Sequence, residues 1–221
     1  AALRALSRIR PEVDAAHGVL SGTLSIGLGE HTLMHPDCHL SEALGELKRL
    51  APAVRPEILV MSFPELDQAL RTHRIDIAIR GKYTNDRDFN YLPLYTETHR
   101  LYVSRNVSYA RDRARLPLVY RSHPYVDQAL ATGRFERGPE AAGLDAVAAL
   151  VATGHYQGLL PTFYGEMLQG RLGLRLVARG LRYSHAGCAV TVASPPPSHR
   201  AELFLNILRE LHPAPQSPSI S

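Results

Sequence analysis

The sequence predicts an α/β fold, and three observations carry that prediction. Stretches with apolar residues at every second position alternate along the chain with stretches that repeat every three or four, the periods of half-buried strands and of helices. Pro, Gly, Asn and Asp gather between these stretches, as connections require. A hydrophobic content of 45% over 221 residues supplies an ordinary packed core, enough for one large domain or two small ones.

A leading helix over 1–17 is expected from Leu3, Leu6, Ile9 and Val13, interrupted at Pro11. Leu24, Ile26 and Leu28 alternate with Thr23, Ser25 and Gly27 as a strand. Pro36, a residue suited to the first helical position, opens a helix over 36–50 with a stripe of Leu40, Ala43, Leu44, Leu47 and Leu50. Ile58 to Met61 make the next strand, Ser62 or Phe63 caps a helix over 66–71, and 74–79 is a third strand. Strand and helix in strict alternation describe parallel strands joined by crossover helices. The loops that follow the strands then share one edge, where open sheets bind ligands.

A polar loop over 81–90 precedes two strand-like stretches, 91–95 and 100–104, and then the pattern restarts. Strands are expected at 116–120, 158–160, 174–177 and 189–193, and helices at 125–131, 144–153 and 161–169. Three prolines at 195–197 form a rigid joint before an amphipathic helix over 201–211, and the tail 214–221 has a disordered composition. The chain thus divides into two α/β halves near Glu97.

Composition removes several function classes. No apolar run approaches the ~20 residues of a membrane helix, and the first twenty residues lack the apolar core of a secretory signal, so a cytoplasmic location is expected. Two cysteines and no Cys-x-x-Cys exclude a disulfide framework. The net charge of +4 is carried mainly by arginine, with Lys48 and Lys82 the only lysines, and the cations are scattered rather than clustered. A nucleic-acid surface needs a patch, so this stretch of chain is not expected to grip DNA by itself.

Gly27-Leu28-Gly29-Glu30-His31-Thr32 follows a strand but has Thr32 in place of the third glycine, and Met61-Ser62 stand where an acidic residue would hold a ribose; it reads as a tight turn. His31, His35 and His39 are spaced by four, but a helix beginning at Pro36 leaves the first two in a loop, so no metal site is assigned to them. No nucleophile elbow, His-Glu-x-x-His or Walker loop occurs. Asp76, inside a strand, is read as an anchor for a neighbouring loop, and Cys188 as a small buried apolar residue. The expectation is a protein without catalytic residues, metal or cofactor.

Several motifs resemble one known family. SGTLSIG at 21–27 followed by a helix and the Ala51-Pro52 turn, ELDQAL at 65–70 with RIDIAIR at 74–80, LPLYTE at 92–97 with Leu101-Tyr102-Val103, and GHYQGLLP at 154–161 are similar, in that order, to the effector-binding domain of LysR-type transcriptional regulators. The resemblance implies two Rossmann-like subdomains of the type II periplasmic-binding-protein kind, joined by two crossover segments. Subdomain I would comprise 18–96 and 195–213 and subdomain II 97–194, with 1–17 the end of a linker helix and a DNA-binding winged helix-turn-helix ahead of Ala1.

The implied effector is a small, anionic molecule in the cleft between the subdomains. By motif, Glu30, His31 and Thr32 would come from the loop after the first strand, Ser62 and Phe63 from the turn after the second, and Arg80 from the third. Arg121, Ser122 and His123 would face them, with Leu144 and Pro161 as further contacts. Helix N-termini and the arginines suit a carboxylate, although either arginine could equally serve a structural ion pair. The implied partners are the effector, a homodimer or homotetramer packed through the 36–50 helix, and DNA through the N-terminal domain alone, with no membrane. A transporter's solute-binding protein is the alternative on the same fold, and the absence of a signal segment favours the regulator.

Overall fold

A computed structural model describes residues 20–107 and 116–213. The expected leading helix at 1–17 and the tail at 214–221 lie outside the described residues. The described chain forms two compact units. Unit 1 holds the residues up to Tyr95 and those from Gly187 onward, and unit 2 is Thr96–Ala186. The second boundary corrects the sequence reading. Residues 187–194, expected in subdomain II, pack with unit 1, because Gly81 to Ala78 pair with Gly187 to Val190.

In unit 1, β1 (Ser21–Leu28) lies between β2 (Ala53–Val60) and β3 (Ile77–Gly81), parallel to both. The first crossover contains α1 (Leu40–Leu50) and the second α2 (Phe63–Arg71). β9 (Arg182–Val192) runs antiparallel to β3 and leads to α6 (His199–Leu211). Leu24, Ile26, Ile77 and Ile79 from the strands meet Leu40 and Leu47 of α1 and Phe204 and Leu208 of α6 in one core. Asp76 is the expected anchor: its carboxylate accepts the Ser25 N–H at 2.9 Å, tying the start of β3 to β1.

The helix expected at Pro36 begins instead at Leu40. Pro36 occupies the second position of a turn closed by Cys38 N–H donating to the His35 carbonyl at 3.0 Å, a place where its fixed φ is equally favoured. The stripe of α1 is used within the unit. Leu40, Ala43 and Leu47 are buried, whereas Leu50 is exposed.

Unit 2 is built on the second half of β4 (Phe89–Ser104), which pairs antiparallel with β7 (Gly158–Pro161) and β8 (Leu174–Leu176). β5 (Leu118–Tyr120) pairs parallel with β6 (Arg137–Glu140) and meets Gln157 through a parallel bridge. Around them lie α3 (Pro124–Ala131), α4 (Leu144–Ala152) and α5 (Thr162–Leu172). Tyr102, fully buried, packs beneath α5 where Gly165 lacks a side chain; a Cβ there would stand 2.2 Å from the Tyr102 ring. The two stretches expected at 91–95 and 100–104 are one strand, because polar residues 96–99 are satisfied by neighbours. Thr98 and Ser184, for example, exchange a 2.9 Å hydroxyl hydrogen bond.

Candidate functional site

Parallel strands β1, β2 and β3 bring their carboxyl ends to one edge of unit 1. Beyond β1, Gly29 N–H donates to the Ile79 carbonyl at 3.2 Å, and the chain turns through His31 at φ 56° into a short 3-10 turn, Thr32–Met34. Glu30 and His31 are half-buried on this turn and Thr32 is buried. Beyond β2, Ser62 caps α2, and the Glu65 carboxylate accepts both its N–H and its hydroxyl at 2.8 and 2.7 Å. The Ser62 N–H to Glu65 bond is the carboxylate half of the capping box that a Ser-x-x-Glu sequence provides. The Ser62 hydroxyl and N–H together hold the Glu65 carboxyl below the usual carboxylate range.

Arg80 is 5% exposed. Its Nε stands 2.8 Å from Asp67 Oδ1, its Nη1 donates to the Gly81 carbonyl at 2.8 Å, and its guanidinium lies 5.0–5.6 Å from the rings of Phe63, Phe89 and Tyr91. Burial pushes the Asp67 carboxyl up, with Arg80 opposing. Between the two roles left open for Arg80, the geometry is that of the structural ion pair.

The unit 2 residues lie at or beyond the carboxyl ends of β5, β6 and β7. Arg121, Ser122 and His123 form the turn between β5 and α3, with Ser122 exposed and His123 buried. His123 caps α3, its Nδ1 accepting the Tyr125 N–H at 3.2 Å. Leu144 is the first residue of α4, entered through Gly143 at φ 128°, a conformation that suits glycine. Pro161 ends β7 opposite His99. Glu30, His31, Thr32, Ser62, Phe63 and Arg80 thus belong to the unit 1 edge, and Arg121, Ser122, His123, Leu144 and Pro161 to the unit 2 edge.

Beside the unit 2 group stand residues the sequence reading did not select. Glu97 and His99 lie two apart on β4, and Tyr183 and His185 two apart on β9. Glu97 Oε1 is 2.6 Å from His99 Nε2 and 3.6 Å from His185 Nε2. His99 stacks on His123 at 4.9 Å between ring centroids, and Tyr125 stacks on Tyr183 at 4.7 Å. Burial pushes the His99 imidazole down, partly offset by Glu97. Burial pushes His123 well below the usual range, with the Arg121 charge and the neighbouring rings adding to it. The available signal was the i, i+2 spacing of polar residues, which places both on one face of a strand.

Two α/β units whose sheet edges carry turns, helix N-termini and a few convergent polar groups define a small-molecule-binding domain of the α/β class. The chain belongs to the LysR substrate binding domain family, whose profile matches residues 17–213, and is the effector-sensing regulatory domain of a LysR-type regulator. It is 27% identical over 172 residues to the HTH-type transcriptional activator BauR of Pseudomonas aeruginosa. That match covers 73% of the chain and 56% of BauR, so the chain spans about half the length of this relative.

Among solved structures, it is similar in fold to the effector-binding domain of QuiR in complex with shikimate. The TM-score is 0.71 at 13% identity, over 87% of this chain and 97% of that one. It is also similar to full-length CbnR complexed with target DNA, with a TM-score of 0.64 at 14% identity over 96% and 80% of the two chains. The periplasmic-binding-protein-like fold is shared with these LysR regulatory domains. The family is one of regulator domains rather than of enzymes, and among the described residues no helix is long and apolar enough to cross a membrane.

Proposed function

We propose that the domain senses a small organic anion, held chiefly by the Arg121-Ser122-His123 turn and the N-termini of α3 and α4. The observation that carries this reading is one arginine set beside two helix starts at a sheet edge. Arg121 is close enough to His99 and His123 to bear on both, and two helices begin at Pro124 and Leu144 beside it. The helix dipole at such starts favours an anion. The shikimate bound by QuiR, a hydroxylated carboxylate, supports the same ligand class.

Thermal shift with a panel of small hydroxy and aromatic carboxylates tests the reading, because a ligand that binds only the native state raises the midpoint. Arg121→Ala is expected to weaken the best hit about tenfold or more. A carboxylate that binds equally well to Arg121→Ala overturns the assignment. In the longer protein the effector is proposed to control DNA binding by an N-terminal winged helix-turn-helix in a cytoplasmic homodimer or homotetramer, and the CbnR complex with DNA supports that kind of partner. Exposed Leu50, Ile58 and Val60 on and beside edge strand β2 are apolar surface that such an assembly would cover, and sedimentation of the longer protein tests it.

A further inference from the structure

We infer that unit 2 also holds a site for a divalent transition-metal ion of the zinc type, formed by Glu97, His99 and His185. One ligand atom from each lies within 4.8 Å of the others. His99 and His185 are 2% and 9% exposed, and Glu97 is half-buried. A tetrahedral ion with bonds of about 2.0–2.2 Å places its ligand atoms roughly 3.3–3.5 Å apart. The Glu97–His185 separation of 3.6 Å already has that length. The Glu97–His99 contact of 2.6 Å is a proton-bridged pair that opens by less than about 1 Å when an ion replaces the proton.

The proton balance is simple: the neutral His99 ring moves its one hydrogen from Nε2 to Nδ1 by exchange with solvent, Glu97 stays a carboxylate, and the ion takes the freed Nε2 and the carboxylate oxygen with no net release of a proton. Two imidazoles and one carboxylate select zinc, cobalt, nickel or ferrous iron over calcium and magnesium, which take oxygen ligands. His123, stacked on His99, is not a further ligand. Its Nδ1 accepts the Tyr125 N–H, so its Nε2 carries the hydrogen and acts as a donor. A fourth coordination position is left for water or a small oxygen donor.

The His31, His35 and His39 series does not compete. The His35 ring stacks on Tyr95, its Nδ1 accepts the Asp37 N–H, and His39 turns to Glu42.

The test uses the tag-free 221-residue chain, titrated with Zn2+ by calorimetry and with Co2+ by visible absorption. One equivalent is expected to bind, Co2+ giving the strong d–d bands of a four-coordinate site. His99→Gln and His185→Gln should each weaken binding more than about tenfold, whereas a His31→Gln, His39→Gln double variant should bind as before. Melting each variant in EDTA shows whether it folds. If a variant does not, 15N spectra of wild-type histidines report the same question, since metal binding must shift the His99 and His185 ring nitrogens. Absence of uptake, uptake unchanged in folded His99→Gln and His185→Gln, or loss confined to the His31, His39 variant would each overturn the site.

Discussion

At the carboxyl edge of unit 1, Ser62, Arg80 and His35 are engaged by neighbours within their own unit: Ser62 by Glu65, Arg80 by Asp67, His35 by Asp37 and Tyr95. At the carboxyl edge of unit 2, the imidazoles of His99, His123 and His185 pack on one another around Glu97, with the charge of Arg121 nearby. Both edges come from the same α/β arrangement, yet their polar groups do different work. On unit 1 they hold a turn and a helix start in shape. On unit 2 they include desolvated bases and a cation, the groups proposed above to meet a ligand. Polar residues at a sheet edge therefore do not by themselves mark a binding site; burial and charge are to be weighed with the bonds each already makes.

The sharpest way to break this comparison is to remove one arginine from each edge. Arg80→Ala leaves Asp67 largely shielded beside Phe63, Phe89 and Tyr91 without its cation. Breaking a fully buried pair costs about 3–5 kcal/mol; Asp67 keeps 29% exposure, so the lower end, about 3 kcal/mol, is expected. For a chain of this size that lowers the melting midpoint by roughly 6–12 °C. Arg121→Ala should instead cost no more than about 1 kcal/mol in stability, while weakening anion binding about tenfold, or ~1.4 kcal/mol. If the two variants swap these signatures in thermal melts and ligand titrations, the division of labour between the edges is wrong.

A smaller effect separates the two roles open to Ser62. Its hydroxyl donates to Glu65 within the cap of α2, so Ser62→Ala should act on the helix start and cost about 1 kcal/mol, a usual value for a lost N-cap. Anion affinity should change less than about twofold. Denaturant melts and the same titration read both quantities, and a tenfold loss of affinity without loss of stability would return Ser62 to the ligand.

Much of the fold was legible because its signals are local. The alternation at Leu24, Ile26 and Leu28 and the Ser62-x-x-Glu65 cap state their structures within a few residues. β6 was missed because Arg137-Gly138-Pro139-Glu140 has no apolar alternation; its place is set by pairing with β5, with Arg137 lying 3.6 Å over the Tyr120 ring. The start of α1 was misplaced because Pro36 serves a helix start and a turn equally well, and only the Cys38 to His35 hydrogen bond distinguishes them. The turns that follow strands were legible, as at Thr32 and Arg121. Glu97, His99 and His185 were not, since their meeting depends on two strands far apart in sequence.

The smallest expected effect uses the cysteines. Cys38 and Cys188 are both buried, and both belong to unit 1. Burial pushes the Cys188 thiol up to about 11, so at pH 8 its thiolate is scarce, and a disulfide reagent reaches it only when the surrounding strands open. Both thiols should therefore titrate fully in denaturant and only slowly in the native chain. Their native labelling rate then reports the opening of unit 1. Arg80→Ala, by destabilising that unit by about 3 kcal/mol, should raise the rate roughly a hundredfold if labelling follows the opening equilibrium. Arg121→Ala should change it by less than about twofold, because its charge bears on His99 and His123 of the other unit. Equal acceleration by the two substitutions would mean that the units open as one, and that the edges cannot be perturbed separately.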